Sequence, residues 1–446
     1  MTMRPLIFST WLLCLAGLVR GKELASTPPS ASKQQDVSLV QCLQIAAEHN
    51  AQLRQASTQF LAAEGQVISL HAILYPKLQA QALSTPTTLY VQFQQTLYNR
   101  ATFPQLRISR LTEEQAKINY RQTFNDVMFH VRQAFINALG ANAEVELYRN
   151  YAKQQTAALA SAQQLFEGGQ VQKNTVLSIQ VKADLAKRQQ TQFELESAQA
   201  LIALNILLGQ DLPKSARLTG ELLSDAPADL DAGKLTTEAL KNRPDLKLLE
   251  SAQMSAEQQI EVDLQNAYPI VGIESNSAFQ PPAFGPINAG GYDLERNYDE
   301  PATERAFGNS QLPISLYVTW LFFDGGGLKG IKISDKAQIA SRDVALQELR
   351  HSIAEDVNSA VATIDLERDT LHALNEQAPA GELRHLSELE YETGRLRQLD
   401  KAYLEDDILQ QQQARLDAQY QLSMAAAVLD HALGDGLETS VARSRP

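Results

Sequence analysis

Residues 53–76 read LRQASTQFLAAEGQVISLHAILYP, and residues 246–269 read LKLLESAQMSAEQQIEVDLQNAYP. The offset between them is constant, because 246 − 53 and 269 − 76 both equal 193. In that register Ala63-Glu64 meets Ala256-Glu257, and Tyr75-Pro76 meets Tyr268-Pro269. Later landmarks match at a second offset of 225, where Glu167-Gly168-Gly169 meets Glu392-Thr393-Gly394 and Leu208-Gly209 meets Leu433-Gly434. A duplication of this size decides the architecture before any single residue is interpreted. It argues for one pseudo-symmetric body in place of the two or three domains that 446 residues suggest on length alone.

Each copy follows the same course. Ser38 opens a first helix as an N-cap residue, with Leu39, Cys42, Leu43 and Ala46 on its apolar face. Its counterpart starts at Lys234. Helical segments then span 38–75 and 234–268, stopped by Pro76 and Pro269. Beyond each proline the period changes to two. Leu78, Ala80 and Ala82 alternate with Lys77, Gln79 and Gln81; after the turn 84–87, Leu89, Val91, Phe93 and Leu97 alternate with Tyr90, Gln92, Gln94 and Thr96. Strands are therefore expected over 77–97, and at the ends of 270–323, where Ile314, Leu316, Val318, Trp320 and Phe322 carry the second signal. Their lengths suit a tilted strand crossing a membrane. Phe279 to Gln311 reads as a long surface loop. Trp320, Phe322 and Phe323 fit either an interfacial aromatic anchor or ordinary core.

Long helical hairpins follow, over 102–208 and 328–433. Their first arms, Thr102 to Glu167 and about Lys329 to Glu392, reach roughly 100 Å at the α-helical rise, which means a coiled coil or helical tube. The return arm of the first carries Val176, Ile179, Ala183, Ala186, Gln190 and Phe193, a supercoiling seam with an average spacing near 3.5. Asp324 and Gly325-Gly326-Gly327 read as a sharp passage into a helix, since the spacing and acidic follow-up of a nucleotide loop are missing. The boundaries that follow are a first repeat at 38–209, an equatorial linker at 210–233, a second repeat at 234–437 and a flexible tail at 438–446.

The ends and the composition narrow the setting. Arg4, the apolar run Leu6 to Val19 and the small residue Gly21 make residues 1–21 a secretory signal, with Ala25 a second cleavage option. The run is short for an uncleaved anchor. Leu13 before Cys14 argues against lipidation there. Cys42 then stays as a lone small core residue, with no disulfide possible within the chain. Residues 22–37 read as a flexible lead. No later apolar run crosses a bilayer as a helix, which leaves a soluble chain or one spanning by strands. Hydrophobic residues make up 44% and aromatic ones only 7%, a long-helix composition. A net charge of −13 speaks against nucleic acid or an anionic membrane surface as a partner of the chain as a whole. The seven histidines are scattered without metal-ligand spacing, and Glu405-Asp406-Asp407 reads as a solvated face. With no nucleophile, acid–base or metal constellation, no enzyme and no cofactor is expected.

The ordered set AAEGQVISLHAILYPKL (62–78), FEGGQVQKNTVL (166–177), ISLYVTWLFFDGGGLKG (314–330) and YETGRLRQLDKAYLED (391–406) resembles the TolC-like outer membrane efflux proteins over about Ser38 to Leu437. The resemblance implies a mainly α fold with a small β part. Long antiparallel helical hairpins would form a trimeric α-helical barrel, and each protomer would add four strands to a twelve-stranded outer membrane β-barrel. The strand count agrees independently, since four strands cannot close a barrel and lipid tolerates no open edge. The implied function is a passive exit duct working with a periplasmic adaptor and an inner-membrane transporter. By match, the tips Phe166 to Thr175 and Tyr391 to Asp400 dock the adaptor through Gly168, Gly169, Gly394 and Arg395. By the same match Asp400 lines the entrance constriction, and Tyr391 is a latch. Asp400 on an ordinary surface is the other reading. The chain departs from the family pattern at Tyr403, Leu396 and Thr175, which puts the closing hydrogen bonds in doubt. Pro379 and Gly381 interrupt the second long arm and suggest a hinge. A rival class is a periplasmic coiled-coil scaffold or adaptor without a pore, and a remote one is a secreted hydrolase.

Overall fold

The computed structural model describes residues 35–84, 87–213, 216–226, 230–279, 314–376, 380–393 and 398–434. The signal segment 1–21, the loop 280–313, Pro379, Gly394, Arg395 and the tail 438–446 lie outside the described residues.

The first half runs α1 (Leu39–His49), α2 (Ala51–His71), β2 (Lys77–Ser84), β3 (Thr87–Tyr98), α3 (Thr102–Glu167) and α4 (Lys173–Leu208). The second runs α5 (Ala232–Asn242), α6 (Pro244–Asp263), β5 (Ile270–Phe279), β6 (Ile314–Thr319), α7 (Gly327–Glu376), α8 (Ala380–Glu392) and α9 (Gln398–Ala432). A single 3-10 turn precedes β2 and another precedes β5. Both helices before the strands are capped by their own sequence. Ser38 forms a reciprocal capping box with Gln41, and Asn50 Oδ1 accepts from the backbone of Gln52 and Leu53.

Two stretches differ from the sequence expectation. Gln35–Ser38, inside the supposed flexible lead, is a strand β1 that pairs in parallel with β4 (Ala216–Thr219), inside the supposed linker. This two-strand sheet ties the start of the first half to the segment between the halves. The last strand is also shorter than expected. β6 stops at Thr319, and Trp320 turns to donate through Nε1 to the Ala267 carbonyl at 3.3 Å.

Core residues sit mainly where the short helices pack on the long ones. Cys42, Ala46, Val131, Ala138, Leu204 and Leu208 are fully buried in the first half. Ala239, Ile353, Val357, Leu422 and Leu433 hold the second. A leucine buried in this way contributes about 1.5–3 kcal/mol. The expected seam on α4 is present, with Ile179, Ala183 and Ala186 all fully buried. Gly209 and Gly434 then end α4 and α9 with φ of +73° and +69°. A Cβ on Gly209 would stand 2.4 Å from the His49 carbonyl oxygen, and one on Gly434 2.9 Å from Arg243 Cα. Each return helix thus closes against the junction of its own half's two short helices.

Candidate functional site

The four longer strands form one antiparallel sheet in the order β2-β3-β5-β6. Register puts side chains of one rung on one face. One rung is Leu78, Phe93, Ser275 and Ile314; the next rung toward Pro76 is Lys77, Gln94, Glu274 and Ser315. Ala80 and Val91, Ile273 and Leu316, and Val271 and Val318 extend the first face. The sheet therefore has an apolar face and a polar face. Leu78, Ile314, Leu316 and Val318 are each more than 60% exposed, so no described residue covers them, while Ser275 in the rung between Leu78 and Ile314 is buried. The polar face includes Gly272, across from Tyr317, whose ring fills the space a Cβ would take. Both edge strands, β2 and β6, have a free side among the described residues.

The passages from strand to helix are pinned from several elements. Tyr75-Pro76 and Tyr268-Pro269 end the two 3-10 turns. Arg100 after β3 reaches Glu261 on α6 at 2.7 Å and lies 4.1 Å over the Tyr268 ring. Asp324 caps α7, accepting from the backbone of Gly326 at 2.9 Å and Leu328 at 2.5 Å. These amide donors hold its carboxyl below the usual range. Gly325 and Gly326 take φ of +65° and +96°, which a side chain would oppose. Around these passages Phe322 and Phe323 are 84% and 85% exposed, and Trp320 stacks at a tilt on Phe322. Of the two readings for these aromatics, a core made by the described residues is excluded.

At the other end, Gly168 and Gly169 stop α3. Gly169 has φ of +70°, Gln170 N–H donates to the Leu165 carbonyl, and Gly169 N–H donates to that of Phe166. This is a Schellman stop that uses up the last free carbonyls. Thr175 is half-buried in the first turn of α4. Asp400 stands in the first turn of α9 and is half-buried, where its charge suits the helix dipole. Lys401 joins Tyr391 and Glu388, with Nζ 4.6 Å from the ring centroid and 2.8 Å from Glu388 Oε2. Gly381 lies in the first turn of α8.

The main junction between the two long hairpins involves residues that sequence reasoning missed. Asp406 on α9 accepts from Tyr151 Oη of α3 at 2.5 Å and from Lys182 Nζ of α4 at 2.6 Å. Lys182 also lies 3.7 Å under the ring of Tyr403, so the expected entrance residue Tyr403 joins this cluster. Next to it Arg384 of α8 reaches Glu405 Oε2 at 3.3 Å, and the Gln154 amide lies between them, its nitrogen 2.8 Å from that oxygen. Glu405 is only 7% exposed. Glu405 and Asp406 thus belong to a junction, because their neighbours supply cations and a phenol for the charges, while Asp407 is exposed as a solvated face would be. Burial first, then the bond to Asp406, pushes the Tyr151 phenol above its usual range. Farther along α9, Gln413 accepts from Tyr148, Tyr420 donates to Asn137 at 2.6 Å, and Asp430 pairs with Arg132. His431 bonds Asp126 at 2.9 Å and stacks on Phe129, so this histidine is tied into the same seam.

Two apolar features are left without cover. Besides the sheet, α4 presents Leu177, Val181, Leu185, Leu195, Ile202 and Ile206, each at least 47% exposed, on the side away from its seam. Among the described residues no helix is long and apolar enough to cross a membrane, and no acidic, histidine or cysteine cluster is suited to a metal ion.

No family model matches the chain, and no curated protein matches it. Solved structures do. The open-state outer membrane channel MtrE of Neisseria gonorrhoeae matches at TM-score 0.70 and 20% identity, over 92% of this chain and 94% of that one. The outer membrane protein VceC of Vibrio cholerae matches at 0.69 and 19%, over 90% and 97%. The Campylobacter jejuni outer membrane channel CmeC matches at 0.69 and 12%, over 91% and 88%. The chain has the fold of the TolC-like outer membrane channels along nearly its whole length.

Proposed function

We propose that the protein is an outer membrane channel, the exit duct of a tripartite efflux or type I secretion system in a Gram-negative bacterium, and not an enzyme. It acts as a homotrimer whose protomers each give four strands to one barrel in the outer membrane lipid and their long hairpins to a tube through the periplasm. The observation that carries this reading is the sheet, with an exposed apolar face, a polar face and two open edges. Lipid accepts such a sheet only when it is closed, and this chain cannot close it alone. The bare apolar stripe on α4 supports the same assembly, since a second copy would cover it. A non-pore coiled-coil scaffold accounts for the helices and leaves the two-faced sheet without a purpose.

In this reading the polar sheet face lines the pore, and the helix tips with Gly168, Gly169, Gly394 and Arg395 dock the periplasmic adaptor that bridges to the inner-membrane transporter. Asp400, Tyr391, Tyr403 and Thr175 belong to the entrance, and Pro379 with Gly381 is the hinge of the second hairpin. The Tyr151–Asp406–Lys182 junction holds that hairpin against the first and must break for the entrance to widen. Crosslinking of the purified protein in detergent tests the assembly: a trimer sustains the account, and a monomer that stays soluble without detergent removes it.

A further inference from the structure

Just beyond the exposed aromatics, two helices start with unpaired cations. On α7 these are Lys329, Lys332 and Lys336, spaced three and four residues apart, hence on one side of the helix. All three are exposed, and none has an ion-pair partner among the described residues. On α3 the exposed Arg107 and Arg110 follow Phe103, which is 69% exposed and lies on the same helical side. The two groups share a face of the wall. A groove of about 400 Å³ between α3, α6 and α7 is lined by Ile108, Gln115, Gln338 and Arg342. At 100° per residue, the three lysines and Arg110 project roughly 90–150° round their helices from those lining positions, while Arg107 reaches back to Gln258 of α6 at 3.4 Å. Phe103 stands on the same side of α3 as Arg110 and is itself exposed. This is an unusual place for uncompensated positive charge in a chain of net charge −13.

We infer that this basic collar binds the anionic phosphate headgroups of the membrane leaflet that borders the helical tube. The inference rests on the reading of the sheet as membrane-spanning. The occupant is set by continuity. Apolar strand face, exposed Trp320, Phe322 and Phe323, then Lys and Arg is the order hydrocarbon, interface, headgroup. Lysines near an anionic lipid surface attract it electrostatically, and a negatively charged protein needs such a local patch to meet it without repulsion. The collar would favour anionic over zwitterionic phospholipid as neighbours and fix the depth of the barrel.

Trp320 reports on this directly. In a Trp11→Phe background it is the only tryptophan of the chain. The full-length protein is reconstituted in phosphatidylcholine vesicles containing phosphatidylglycerol, with one lipid or the other carrying brominated chains that quench tryptophan. Quenching by brominated phosphatidylcholine tests whether the sheet meets lipid at all; its absence would overturn both the membrane reading and the collar. Given that quenching, the expected result is an association constant for phosphatidylglycerol about fivefold or more above that for phosphatidylcholine. In Lys329→Gln/Lys332→Gln/Lys336→Gln this ratio should fall toward one, while the corresponding triple arginine variant keeps it. Equal binding of the two lipids in the parent protein, or an unchanged ratio in the glutamine variant, would overturn the collar and leave the membrane reading standing.

Discussion

The two halves stop their return helices alike and fasten them differently. In the first, Gly209 closes against His49, and the neutral Asn50 side chain donates to the Leu207 carbonyl at 2.7 Å. In the second, Gly434 closes against Arg243, which is a charged hub paired with Asp245 at 2.7 Å and Asp356 at 2.8 Å. The long arms diverge in the same sense. α3 runs unbroken for 66 residues and packs with α4 through an apolar seam. The second arm is described as α7 and α8, and the return helix α9 is held to α3 and α4 by Asp406, Gln413, Tyr420 and Asp430. Backbone geometry has been kept between the halves, while the fastening has changed from neutral to charged. An apolar seam separates only against the hydrophobic effect, whereas each hydrogen-bonded pair exchanges its partner for water at a net cost of about 0.5–3 kcal/mol.

The glycine stops give the largest expected effects. Gly209→Ala and Gly434→Ala should each lower stability by about 1–3 kcal/mol from the positive φ alone, with more from the collision. Gly169→Ala, where no atom lies within 4 Å, should cost only about 1–2 kcal/mol. Thermal unfolding checks the order; an equal drop for all three would show that the junctions are loose. Asp406→Ala comes next. It strands the Lys182 ammonium and the Tyr151 hydroxyl, both half-buried, at about 1–3 kcal/mol. Hydrogen exchange should then rise in α8 and α9 and stay unchanged along the α3–α4 seam. A uniform rise would erase the contrast between a fixed and a movable hairpin.

Smaller effects follow from titration. Burial raises the Tyr148, Tyr151 and Tyr420 phenols, each of which joins α3 to α9. A phenol whose folded-state pKa lies above its unfolded value lends stability that is complete below about pH 10 and lost as pH rises beyond it. Unfolding at alkaline pH should therefore begin in the second hairpin, and Tyr151→Phe should weaken that pH dependence. Smallest is a labelling test. Burial pushes the Cys42 thiol up to about 11, so a thiol reagent at neutral pH should modify it only on unfolding of the first half. Labelling at the rate of a free thiol would mean that α1 is not packed as described.

What was legible in the sequence followed short-range rules. The Ser38 cap, the 3-10 turns before Pro76 and Pro269, and the stops at Gly209 and Gly434 depend on a few neighbouring residues and stand where local rules put them, whereas the last strand ends at Thr319, short of its alternating pattern. The pairing of β1 with β4 was hidden because four residues at 35–38 find partners at 216–219, and each stretch is too short to carry a periodic signal. Asp406 was hidden for the same reason, since Tyr151 and Lys182 lie more than 220 residues away in the chain. An acidic run on a helix looks solvated unless the opposing surface is known. Trp320, Phe322 and Phe323 were ambiguous because an aromatic at a strand end has the same pattern in a core and at a lipid interface. Only their exposure decided between them.

The central claim is that this chain makes a conducting pore whose second hairpin is fastened by Asp406. Single-channel current of the purified protein in planar lipid bilayers tests it most directly. The account predicts discrete conductance steps from the parent protein and larger steps from Asp406→Ala, as the Tyr151 and Lys182 bonds are lost. A protein that inserts without conducting, or an Asp406→Ala variant with the parent's conductance, would contradict it.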